Sequence, residues 1–66
     1  MNNMSSDQFR HAIDKLGLSQ EAAGRFLGYA GRQGQRFANN ERAVPRAVAM
    51  LLRLMIKYKI KPEDMK

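Results

Sequence analysis

The stretch "SQEAAGRFLGYAGRQGQRF", Ser19–Phe37, decides the fold. Its first half carries Ala22, Ala23, Phe26 and Leu27 at helical spacing. Ser19 is an N-cap residue type, Glu21 suits the positive end of a helix dipole, and Gly28 stops a helix. This predicts a short helix over about 20–27. The second half is harder to place, because Gly31 and Gly34 interrupt a segment whose flanks read as helix. It is either a flexible loop that cradles phosphate or a helix with one bare flank that approaches something closely.

The loop readings fail on their own requirements. Gly31-Arg32-Gln33-Gly34 matches the GxxG loop of single-strand-binding KH domains, but that fold needs a sheet. No alternating strand pattern of useful length exists here. A P-loop needs Gly-Lys-Ser/Thr, and Gln35 follows Gly34. The helix reading stands: a helix to Leu27, a turn at Gly28-Tyr29-Ala30, and a second helix over about 30–38. This is the layout of a helix-turn-helix. Gly24 would let the second helix pack closely on the first.

Outward from this pair, "SSDQF" opens an earlier helix, with Ser5 and Gln8 spaced as a capping box. Phe9, Ala12, Ile13 and Leu16 follow on one face, and Gly17 closes it. After Phe37, Asn39 and Asn40 read as a turn, and Pro45 fits the first turn of a last helix, with Pro62 beyond its end. The expected architecture is all-α: a bundle of about four helices in one domain over 5–60, a frayed end at 1–4 and a tail at 61–66.

Composition narrows the function. The 66 residues carry a net charge of +6, with a pI near 10.4. A small basic domain meets a polyanion, nucleic acid or an anionic membrane, unless the charge serves solubility alone. Cysteine is absent, so disulfides and thiolate metal sites are excluded. The longest apolar run, Ala47–Leu52, is far short of the roughly 20 residues of a membrane span. No signal peptide is read. His11 is the lone histidine, beside Arg10, Asp14 and Lys15, and Glu63 and Asp64 are neighbours in a tail. Neither makes a catalytic or metal set. No enzyme activity, cofactor, metal or small-molecule effector is expected.

"LGLSQEAAGRFLGYAGRQGQRF" followed by "ERAVPRAVAMLLRLM" resembles the phage-repressor-like (lambda-repressor-like, XRE) helix-turn-helix regulators. It is most similar to short bacterial members in which a Val-Pro-x-x-Val-Ala-x-Leu-Leu-Arg-Leu helix follows the motif, over about residues 5–58. The resemblance implies a cytoplasmic transcription regulator, a repressor in the simplest case, bacterial and nucleoid-associated or phage-encoded. It implies that Gln20 contacts a phosphate, that Gly24 lies at the helix crossing, and that Leu27 and Phe37 are core. It places Gly31, Arg32, Gln33, Gln35 and Arg36 on or near the groove-facing side. The chain departs from the pattern at Ala30, where Ser or Thr usually caps, at Asn40, where Gly is usual, and at Gly34, where Val or Ile is buried.

The residues themselves agree. Arginine and glutamine make two-pronged contacts with guanine and adenine edges. Arg32 and Arg36, four apart, share a helix face flanked by Gln33 and Gln35. A merely solvated charged face is the plain alternative. Arg42 and Arg46 are the candidates for phosphate contacts, and the resemblance adds the start of the second helix, Ser19 and Gln20.

Gly34 raises a packing question. Either a hole is left, or a bulky neighbour fills it, and Tyr29 is the expected filler. Gly34→Ala would then change stability by no more than about 1 kcal/mol. The last helix poses another. Its polar residues Arg46, Arg53 and Lys57 form one strip, and nearly all else is apolar, a wider stripe than one core contact needs. A homodimer through this helix is the simplest use. An over-hydrophobic helix in a monomer, a basic helix on a membrane surface, and a protein-interaction module such as an antitoxin remain open alternatives.

Overall fold

Four α-helices, and no strand, make up the described part of the chain, residues 4–65 of a computed structural model. They are α1, Ser6–Lys15; α2, Gln20–Phe26; α3, Gly31–Ala38; and α4, Arg46–Lys57, followed by a 3-10 turn over Pro62–Met65. The all-α expectation holds, and each helix boundary falls within a residue or two of the sequence reading.

The helix starts follow from local chemistry. The Gln8 amide donates to Ser5 Oγ at 3.1 Å and the Ser5 amide to Gln8 Oε1 at 3.0 Å, completing the capping box of α1. Ser19 Oγ accepts from the Ala22 amide at 3.1 Å and starts α2. All four helices end alike, in a left-handed residue with the paired Schellman hydrogen bonds. Gly17 (φ 75°) and Gly28 (φ 89°) take that position after α1 and α2. Asn40 (φ 62°) takes it after α3, with the Glu41 amide donating to Arg36 O at 2.9 Å. After α4 it falls to Lys59 (φ 56°), with the Ile60 amide donating to Met55 O at 2.8 Å.

α1 touches all three other helices and centres the core. Phe9, Ala12 and Ile13 meet Ala23 of α2, Phe37 and Ala38 of α3, and Val48, Ala49 and Leu52 of α4. Phe37 takes Phe9 edge-on, with centroids 5.5 Å apart. The Arg10 guanidinium donates to the Ala38 carbonyl and pairs with Asp7, so an α1 side chain satisfies an end carbonyl of α3. Met4 corrects the expected frayed end: it is only 6% exposed and joins the core. The rest of that end, residues 1–3, lies outside the described residues.

The closest approach is between α2 and α3, and it overturns the expectation at Gly34. A Cβ there would overlap the Gln20 carbonyl oxygen and lie 2.8 Å from the Gly24 amide nitrogen. A Cβ on Gly24 would lie 2.6 Å from Ala30 O and 2.8 Å from the Gly34 amide nitrogen. Neither a hole nor Tyr29 occupies the space; the backbone of α2 does. Tyr29 packs instead at the outer edge, its ring 5.6 Å from that of Phe37 at 81°. The bare flank of α3 therefore faces its own partner helix, and the tolerance of Gly34→Ala expected from the sequence does not hold, because even a methyl group has no room there.

Candidate nucleic-acid interface

α3 turns Gly34, Phe37 and Ala38 inward. At 100° per residue the opposite side carries Arg32 and Arg36, with Gln35 to one flank and Gln33 to the other. Arg32 and Gln35 are exposed; Gln33 and Arg36 are half-buried. Its start has no side-chain cap, since Ala30 offers none.

Four parts of the chain converge on this side. Arg32, Gln33 and Arg36 of α3 line one open depression with Arg25 of α2, Tyr29 of the turn and Arg42 of the segment after α3. Glu21 completes the lining as its one carboxylate, 3.2 Å from Arg25 Nη2. Four guanidiniums against one carboxylate make a strongly positive concavity, with donors suited to phosphate and to base acceptors. The candidates Gly31, Arg32, Gln33, Arg36 and Arg42 are thus brought together. Gln35, Ser19, Gln20 and Arg46 do not line the depression. Ser19 is engaged as a cap, and the Gln20 carbonyl packs on Gly34.

Two findings at this surface go beyond the sequence reading. Arg25 was missed, although its i,i+4 spacing from Glu21 on the polar side of α2 was a legible sign. Gly31, expected on or near the groove-facing side, is partly covered there. A Cβ there would overlap Glu21 Cγ and lie 3.3 Å from Cδ, so the Glu21 stem covers it.

A second surface is built on α4. Val48, Ala49, Leu52 and Met55 are buried, yet Met50, Leu54 and Tyr58, at i, i+4 and i+8, are 51%, 48% and 62% exposed. Arg46, Arg53 and Lys57 run beside them, and Lys57 Nζ stands 5.5 Å from the Tyr58 ring centroid. His11 is exposed on α1, and no group of three metal-ligating side chains occurs among the described residues. No described helix is long and apolar enough to cross a membrane. Comparisons with protein-family models, curated proteins and solved structures return no match.

Proposed function

We propose that the chain is a DNA-binding regulator of the helix-turn-helix type, with α3 entering the major groove of duplex DNA. The observation that carries this reading is the arginine-lined depression around Arg32 and Arg36, on a helix whose opposite side is held backbone to backbone. The eight residues of α3 span about 12 Å, a length and width that suit a major groove about 12 Å wide. Arg32 and Arg36, with Gln33 and Gln35, read bases, and Arg42 and Arg46, with the start of α2 at Ser19 and Gln20, hold phosphates. Such a protein acts by occupying a site and blocking transcription there.

The α4 stripe supports a homodimer. Met50, Leu54 and Tyr58 form an exposed apolar stripe that a two-fold interface would set against its own copy, and two copies would present two α3 helices to two half-sites. The same exposure favours a second reading, a protein-interaction module working through α4 alone.

Titrating duplex binding against salt tests the first reading. With roughly six phosphate contacts per dimer, log K falls against log salt with a slope of about −5. Binding that is flat between low and moderate salt, or absent, leaves the second reading.

A further inference from the structure

We propose that Glu21 and Arg25 of α2 act as one unit that reads a single C·G base pair, from the place that Gly31 leaves open at the start of α3. The proposal rests on the DNA-binding reading and adds to it. Gly31 is the first residue of α3 and has no side chain with which to meet a base. The space a side chain would need there is taken by the Cγ of Glu21. Base reading at this level of the groove therefore falls to α2.

The chemistry of the pair selects the base. A carboxylate only accepts hydrogen bonds and a guanidinium only donates them. Held 3.2 Å apart, Glu21 and Arg25 present an acceptor next to a donor. In the major groove a C·G pair shows the complement: the cytosine N4 amino donor beside the guanine O6 and N7 acceptors. An A·T pair also offers an amino donor, at N6, but a single acceptor stands on either side of it, N7 and thymine O4, so the guanidinium finds one acceptor there and two adjacent ones, O6 and N7, on C·G. Thymine offers only an acceptor and a methyl group. Glu21 remains 53% and Arg25 66% exposed at the side chain, so both stay within reach of a ligand. Their positions in the depression beside Arg32 and Arg36 put them against the same stretch of DNA.

The test is selection of bound sites from random duplexes by the full chain and by Glu21→Ala, Arg25→Ala, the double variant and Gly31→Ala. Wild type is expected to require C·G at one position of the site. Glu21→Ala and Arg25→Ala each relax that position roughly tenfold and leave the others as they were. The double variant adds little, because the two residues read one pair. Gly31→Ala pushes the flexible Glu21 stem aside and relaxes the same position with no change of charge. Circular dichroism confirms that each variant is folded. A Glu21→Ala protein that binds every sequence more tightly with unchanged base preference overturns the proposal, since Glu21 would then act only as a repelling charge. So does relaxation at a pair other than C·G. In both cases wild type still selects sites, and the DNA reading survives. A wild type that binds no duplex removes both.

Discussion

The α2–α3 crossing and the outer face of α4 are built on opposite principles. At the crossing, two glycines let backbone meet backbone, and no volume is left over. On α4, Met50, Leu54 and Tyr58 stand about half or more in solvent. The first region fixes the position of α3 and tolerates almost no added atom. The second tolerates change within one molecule and is costly only if a second molecule uses it. Glycine is a poor helix residue, at roughly 0.5–1 kcal/mol against alanine. Its presence at 24 and 34 shows that close approach outweighs propensity there.

The contrast is most easily broken at Gly34. Gly34→Ala should destabilise by about 3 kcal/mol or more, through a clash that rigid backbone on both sides relieves poorly. A domain of this size has only ~3–10 kcal/mol of total stability. Gly34→Val should therefore fail to fold, and Gly24→Ala should behave much as Gly34→Ala. Thermal and urea unfolding measure this. An alanine variant within 1 kcal/mol of wild type would mean that the crossing is looser than described.

A smaller effect is expected on the opposite side of α3. Arg32→Ala and Arg36→Ala should each cost about 1–3 kcal/mol on the preferred site and blur one base position, while folding is unchanged. Arg42→Ala should weaken all duplexes about equally. Binding curves on selected and scrambled duplexes separate the two patterns, and base preference that moves with Arg42 alone would displace α3 from the groove.

Lys59 tests the tolerant region. A lysine at φ 56° pays a left-handed strain that glycine avoids, so Lys59→Gly should stabilise by about 1 kcal/mol. A loss of stability would show that the Lys59 side chain holds the end of α4. The smallest effect on folding is expected from Leu54→Asp, within about 0.5 kcal/mol, because the side chain is half exposed. Sedimentation of the same variant should show monomer where wild type shows dimer. If both sediment alike, the stripe serves something other than a second copy.

The helix limits were legible in the sequence because they are local events. Ser5 with Gln8, Ser19, Gly17 and Gly28 act within one turn of themselves, and the structure places each where its spacing requires. The crossing was half legible. Gly24 was readable as a point of close approach, but its counterpart was not. Which residue of α3 faces Gly24 depends on the angle between the two helices, and that angle depends on Phe9, Phe37 and Ala38 packing far away in sequence. Tyr29 was the wrong filler for the same reason: chain proximity suggested it, while geometry sent it to the edge of Phe37. The candidate surface shows a similar split. Arg32, Arg36 and Arg42 follow from the residue types, whereas Glu21 and Arg25 join them only because α2 crosses the first turn of α3.

The Gly24–Gly34 contact has a consequence for how such a surface can be altered. A helix crossing made of side chains can be respaced by trading one side chain for another, and the outer surface shifts with it. Here the spacing is set by main-chain atoms, which substitution does not resize. Residues 21, 25, 32, 33, 35 and 36 can then be exchanged against a fixed ruler, each change altering chemistry at one place without moving its neighbours. A library randomised at those positions and held constant at 24 and 34 should keep the fold while its members diverge in what they bind.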